Sequence, residues 1–394
     1  MGYVNFKEER YAALTELYKR KENNKMLYKS IMNNKKMISL DYWEKYSFKV
    51  FKKGNINKAK YLNEDNYVKI SEKTIVCSQF EEYKISNIHF IGCTFIGCKF
   101  INCDFSKGVI FENCIFILDE LNNVPSLNVK DNYSCEFKKC NLYAKFLNCD
   151  ISYLIIEDSS LKNTNFELTD MTSCIINSCN MKKIELVDDN LSGMKIINTY
   201  VEDLEFNDKY LSKLDEKTFF DTIPFKKKNK SEYEGIYKIY ETYADIFKAN
   251  SLNNNFGEYY FLCKKVQRKS LKFLPKMESY IYYITCGYGE RVEYSLFTSL
   301  AIIIFFSFLY IIFGIEIENK IIQYITGNGI PNSIGEFIRH INYAFTLSID
   351  LFAGIGADIA KPSELSFFIS NLEKACGIIM IGVIISTLTR KIIR

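Results

Sequence analysis

The residues with the clearest capacity for chemistry lie near the C-terminus, in the run Phe352-Ala353-Gly354-Ile355-Gly356. Glycines at alternate positions free the backbone to turn successive carbonyl oxygens toward one line, and a ring of such oxygens replaces the water around a cation. Asp350 and Asp358 flank the run and add attractive charge; Glu373 follows in an apolar stretch. The chemistry that suits this pattern is coordination of a permeant monovalent cation, potassium or sodium, with no cofactor and no resident metal.

Other chemistries find little support. The chain has only two histidines, His89 and His340, and no paired catalytic motif, so an enzyme is not expected. Thirteen cysteines invite a zinc or disulfide reading, but no Cys-x-x-Cys occurs. Cys93, Cys98 and Cys103 lie five apart, as do Cys135 and Cys140, and Cys174 and Cys179, which is not metal-ligand spacing. The thiols read as small apolar fillers in a repeat, in the reduced state that fits a cytosolic location.

The elements around the Gly-x-Gly run point to a membrane. Ser295 to Ile315 is 21 residues without a charge, about 31 Å of helix and enough to cross the hydrocarbon. Residues 316–336 are polar and read as an outer loop. The segment 337–362 carries a short helical run into Gly354. A second span is expected over 366–388, although it takes in Glu373 and Lys374. A charge near mid-membrane costs about 2.5–3.5 kcal/mol, so this pair must face protein or water, or lie at the outer interface. Lys264, Lys265, Arg268, Lys269, Lys272 and Arg291 precede the first span, and Arg390, Lys391 and Arg394 follow the second. Basic residues on both flanks put both termini in the cytoplasm.

The first half is organised by a period of five. Apolar residues occur at Phe146, Ile151, Ile156, Leu161 and every fifth position to Phe206, and an earlier block runs from Ile85 through Phe90, Phe95, Phe100 and Phe105 to Ile110. Small residues such as Cys93, Cys98, Ala144, Thr169 and Cys174 stand two places before these centres. Five fits neither helix nor strand. It fits a coil in which each five-residue segment turns a corner and stacks its central side chain on the next coil. Pro125 and several asparagines break the register over 117–134.

This pattern resembles the pentapeptide-repeat family, which implies a right-handed quadrilateral β-helix of about five coils. Some soluble members of that family resemble DNA in shape and charge. Here residues 85–206 hold 10 basic and 17 acidic residues, a net −7, not dense enough for that role, and no nucleic acid partner is expected. Gly257-Glu258-Tyr259-Tyr260 and Gly287-Tyr288-Gly289-Glu290-Arg291 resemble motifs of bacterial pentapeptide-repeat proteins that carry a two-helix channel domain. The order span, short helix, Gly-x-Gly, span resembles the two-transmembrane potassium-channel family, with a re-entrant pore helix and a homotetrameric pore. The family's filter is Thr-Val-Gly-Tyr-Gly-Asp. Here Phe352 replaces its threonine, Ile355 its tyrosine, and Asp358 comes one place late, so either a less selective cation pore or a degenerate one is expected.

A mixed fold follows. Residues 1–80 are a basic cap region, 81–206 the solenoid, 207–292 a helical linker and hairpin, and 293–394 the all-α channel-like domain. Residues 1–60 hold 15 basic and 6 acidic residues, with helical patches at 6–22 and 26–50. They form either a solvated cap on the solenoid or a surface for acidic lipid. The hairpin breaks at Asn253-Asn254-Asn255. The start of the chain has no apolar signal-peptide core. The expected location is a bacterial plasma membrane, with the cytoplasmic solenoid assembling the pore or sensing a protein or ligand. The alternative is a membrane-anchored scaffold without conduction. At 48% hydrophobic and 25% charged residues, a mainly disordered chain is excluded.

Overall fold

The computed structural model describes residues 4–33, 42–56, 67–118, 133–318, 320–356 and 359–393. They form two units, Met1–Ser270 and Leu271–Arg394.

The first unit is a β-solenoid. From Asn148 to Asp203 every fifth residue has φ between 47° and 69°, the left-handed region that turns the chain through a corner and that Asn, Asp and Gly tolerate best. Four corners bring the chain back on itself after twenty residues, so Ser160 pairs with Asn180 and Asn180 with Tyr200, in parallel. One face reads Thr74, Thr94, Ile115, Asp150, Asp170, Asn190 and Lys213, which makes about seven turns rather than five. The ladder starts earlier than the repeat suggests, because Val50–Ile56 already pairs with Gln79–Ile91. Position 50 was expected to end a helix. Instead Phe51 stacks on Phe80 at 5.1 Å and joins the apolar column.

Inside, the central side chains form columns. Phe80, Phe100 and Phe137 stack at 5.2 and 4.7 Å; Phe90, Phe111, Phe146 and Phe166 stack at 5.1, 5.0 and 5.0 Å. The register slips by one after Phe105: Lys84 pairs with Asp104, but Ser86 pairs with Lys107. One extra residue is absorbed beside Gly108 (φ 69°). Phe111 and Phe116 therefore fill the core in place of Ile110, the expected centre. At the base of the break, Ile117–Leu118 pairs antiparallel with Tyr133–Ser134, and Pro125 lies outside the described residues.

The cysteines do more than fill space. The thiols of Cys98 and Cys103 donate to the carbonyls of Ile75 and Phe80 one coil below, at 3.3 and 3.2 Å. The hydroxyl of Thr169 makes the same bond to Phe146 at 3.2 Å. A small donor at this position satisfies a buried carbonyl that strand pairing leaves with a spare lone pair. Burial pushes the thiols of Cys174 and Cys179 up to about 12, which keeps them protonated, and the Cys179 thiol donates to the Ile156 carbonyl at 3.5 Å. No cluster of metal-binding groups exists among the described residues.

At one such position the donor is replaced by an acid. Asp189 is buried and accepts from the amides of Thr169 (2.8 Å) and Val187 (3.1 Å). Burial pushes its carboxyl up to about 7 against these bonds. The folded value lies above the unfolded one, so the unfolded chain releases this proton first as pH rises. Stability should therefore fall from about pH 4 to about pH 7 and level off above. Denaturant midpoints across that range should show the decline, and Asp189→Thr should flatten it relative to wild type.

Helix α1 (Phe6–Asn33) is one continuous helix lying along the solenoid rather than across its end. Its apolar stripe, Ala13 and Leu17, packs on Ile155, Ile175, Ile197 and Phe219 from successive coils. Three of its basic side chains bind inward. Arg10 makes a two-pronged pair with Asp221 at 2.5 and 2.7 Å, Arg20 donates to the carbonyls of Tyr153 and Ser173 (3.1 and 2.5 Å), and Lys21 pairs with Glu157. These three charges are engaged within the protein, whereas Lys7, Lys19, Lys25 and Lys29 on the same helix are exposed. At the C-terminal end, α2 (Lys230–Ala249) and α3 (Asn253–Ser270) seat Tyr243, Phe247 and Tyr259 on the last rung, with Tyr259 donating to the Phe220 carbonyl at 2.7 Å. The asparagine run opens α3, and the hairpin breaks earlier, at residues 250–252.

The second unit holds α4 (Phe273–Cys286), α5 (Val292–Phe313), α6 (Ile334–Ala353) and α7 (Phe367–Ile393). Among the described residues, two helical stretches are long and apolar enough to cross a membrane, Val292–Phe313 and Glu364–Ile392. Both leave most of their surface uncovered, including Phe297 and Phe305 on α5 and Ile378 and Ile379 on α7. Between the two apolar helices, Ile315–Ile317, Lys320–Ile322 and Lys361–Pro362 form a small antiparallel sheet. Its first strand ends the apolar run at Phe313 instead of Ile315, because Gly314 turns with φ 120°.

Candidate functional site

The site is built where α6 meets α5 and α7. The run before Gly354 was expected as a short helix, but it is a helix of 20 residues, capped at its start by the Ser333 hydroxyl. Phe352 and Ala353 are its last two residues, so the five expected carbonyl positions do not form one irregular row. Helix geometry continues through Ala353 because nothing stops it until Gly354, which adopts φ 71° and closes the helix. The amides of Gly354 and Ile355 turn back to the carbonyls of Leu351 (3.2 Å) and Asp350 (3.0 Å). Gly356 follows at φ 97°. Ala353 to Gly356 are all exposed within one chain, Ile355 at 80%. Asp350 lies in the last turn of α6, half-buried. Asp358 lies outside the described residues.

The position of this helix end is fixed by two contacts one turn apart. Phe352 presents its carbonyl to Gly377 so closely that a Cβ on the glycine would fall 2.1 Å from the oxygen. One turn earlier on both helices, the Ser348 hydroxyl meets Glu373. The pairs 348/373 and 352/377 advance together, so α6 and α7 run parallel. Against α5 the order reverses: Ser366, just before α7, donates to the Gly314 carbonyl at 2.6 Å, whereas Glu373, seven residues on, takes the Tyr310 hydroxyl at 2.6 Å, and Ser348 of α6 reaches the Ile303 carbonyl at 2.9 Å. After Gly356 the chain climbs back. By Ser363 it reaches the far end of α5, where Ser363 donates to the Phe313 carbonyl (3.1 Å) and Ser366 to that of Gly314 (2.6 Å). Gly377 stands ten residues into α7, about 15 Å along it. The helix α6 therefore ends halfway down α7, and the chain returns to the level from which α7 starts.

Glu373, expected as a charge for the pore, is fully buried and bonded to protein on both oxygens. Sequence reasoning missed Tyr310, Ser348 and Gly377. Each stands as a small or polar residue in an apolar run, but their rotations about the helix axes had to be known to pair them. His340 bonds the Tyr324 hydroxyl at 2.8 Å, and His89 bonds Glu112 at 2.7 Å.

The Gly287-Tyr288-Gly289 turn is an elbow between α4 and α5. All three residues have positive φ, the Tyr288 hydroxyl bonds Ser279 at 2.9 Å, and Gly289 lies against Arg390 of α7. Glu290 pairs with the same arginine at 3.9 Å.

No family model matches the chain, and no curated protein matches it. Among solved structures, a trypsin-treated variant of QnrB1, a plasmid-mediated fluoroquinolone resistance protein, is 15% identical with a TM-score of 0.21, covering 46% of this chain and 91% of that one. Full-length QnrB1 gives 14% and 0.16 over 45% and 92%. HetL, a pentapeptide-repeat protein involved in heterocyst differentiation regulation in the cyanobacterium Nostoc, gives 9% and 0.09 over 41% and 89%. The stronger observation is internal: five residues to a corner and twenty to a coil make the first unit a pentapeptide-repeat β-solenoid, joined in sequence to a helical unit with two apolar helices of membrane length.

Proposed function

We propose that the chain is a subunit of a cation-conducting membrane pore, assembled from four copies around the segment that follows α6. The observation that carries this reading is the return of the chain from mid-depth: α6 ends beside Gly377, and by Ser363 the backbone is back at Gly314. Irregular backbone at membrane depth is tolerated only where protein buries it or water lines it. The exposed stretch Ala353–Gly356 meets that condition when copies surround a wet axis. The negative end of the α6 dipole points to the same place and favours a cation there. The bilayer itself is supported by the uncovered apolar surfaces of α5 and α7, and by α4, which exposes Phe273, Leu274, Met277 and Ile281 beside Lys272 and Lys276. In this reading the membrane is a bacterial plasma membrane, and the basic residues flanking the spans hold both termini and the solenoid in the cytoplasm.

A second reading is a membrane-anchored solenoid scaffold. It is favoured by the helical state of Phe352 and Ala353, which aligns their carbonyls with the α6 axis instead of in one irregular row with those that follow. Planar-bilayer recording of the purified protein in a potassium-to-sodium gradient separates the two. The pore reading expects discrete currents that Gly354→Pro abolishes, because proline cannot adopt φ 71°. The reversal potential then gives the selectivity. Absence of current in wild type, beside a conducting control channel, rejects the pore.

A further inference from the structure

The buried carboxylate of Glu373 is the most demanding group in the helical unit, and its surroundings specify what it does. It is completely enclosed, whereas its neighbour Lys374 is exposed. One oxygen takes the Tyr310 hydroxyl of α5 at 2.6 Å; the other meets the Ser348 hydroxyl of α6, which also reaches the Ile303 carbonyl of α5 at 2.9 Å. A single side chain thus joins three helices. One turn further along α6 and α7, the Phe352 carbonyl lies on Gly377. Phe352 is two residues before Gly354, where the chain leaves helical geometry.

We infer that Glu373 is a positioning residue for the ion path: it locks the last turns of α6 in register with α5 and α7 and so sets where the Ala353–Gly356 carbonyls lie. This rests on the pore reading above and changes the role of Glu373 within it. The carboxylate does not face the ion. It acts through Ser348 and Tyr310, and what the site requires is an acceptor in that place rather than a negative charge at the axis. A truncated side chain leaves the Tyr310 hydroxyl without its acceptor and Ser348 with only the Ile303 carbonyl, so along this stretch α6 is tied to α7 only by the contact at Gly377.

The test is the permeability ratio of the full-length protein in planar bilayers, for wild type, Glu373→Gln, Glu373→Ala, Tyr310→Phe and Ser348→Ala. Glutamine keeps an oxygen acceptor and should hold the ratio and the conductance within about twofold of wild type, whereas alanine should move the ratio roughly tenfold, the scale of a lost hydrogen bond to a charged group. Tyr310→Phe and Ser348→Ala should each give part of that change. A role in folding alone would lower the number of channels and leave the ratio fixed. The inference is overturned if Glu373→Ala conducts with the wild-type ratio, or if Glu373→Gln changes conductance as much as alanine, which would restore a charge role. Should Glu373→Ala fail to fold, wild-type ratios in both Tyr310→Phe and Ser348→Ala overturn it. A silent wild type rejects the pore reading and this inference with it, while a conducting wild type with unaltered variants rejects the inference alone.

Discussion

Gly377→Ala should destabilise the helical unit by about 2–3 kcal/mol, the upper range for overpacking, and Gly382→Ala on the same helix should not. At Gly377 the added methyl would lie 2.1 Å from the Phe352 carbonyl oxygen and 2.9 and 3.0 Å from its carbonyl carbon and Cα. All three are backbone atoms, so no side chain can swing aside; the end of α6 must move off α7. That movement pulls on the Ser348–Glu373 bond one turn away, so the two contacts should fail together. At Gly382 nothing lies within 4 Å. There alanine should be neutral or should add about 0.5–1 kcal/mol through its better helix propensity. Thermal unfolding of the detergent-solubilised protein, comparing the two variants, measures the difference. Equal melting temperatures would mean that α6 does not press on α7 at this level.

What could be read from the sequence divides along the same line as local and distant causes. The solenoid was legible because every coil repeats one environment, so thirteen centres from Phe146 to Phe206 announce themselves in register. The slip after Phe105 was not, since Ile110 is itself apolar and keeps the interval of five, while the inserted residue moves Phe111 into the core. The basic character of α1 was plain, but its partners were not. Arg10 and Asp221 are 211 residues apart, and nothing local predicts the pair.

In the helical unit, composition revealed two apolar helices of membrane length and the cost of burying Glu373. It did not reveal the remedy, because Tyr310 and Ser348 lie on other helices. The Gly-x-Gly run was read as five equivalent carbonyl positions. Glycine permits a turn at any of them, and only the packing of Phe352 on Gly377 decides that the helix persists to Ala353.

Phe100→Ala should cost the solenoid about 3–5 kcal/mol, and the loss should stay close to its own coil. Phe100 stacks on Phe80 below and Phe137 above, at 5.2 and 4.7 Å, and meets the edges of Phe95 and Phe105 at 6.4 and 5.6 Å. Its removal opens a void between two rungs that strand pairing holds apart at a fixed spacing, so the rungs cannot collapse to fill it. A solenoid gains its stability from nearest-neighbour interfaces, and this change weakens the two on either side of one coil. Trp43 is the only tryptophan and lines the same apolar lumen as Phe80 and Phe100, so its fluorescence should report an earlier denaturant midpoint. Hydrogen exchange should then show lost protection around residues 79–81 and 136–138, with 175–177 and 195–197 nearly unchanged. A uniform loss along the whole ladder would instead mean that the seven coils unfold as one cooperative body, with α1 as the element that couples them: Arg10, Arg20 and Lys21 tie it to Asp221, to Tyr153 and Ser173, and to Glu157.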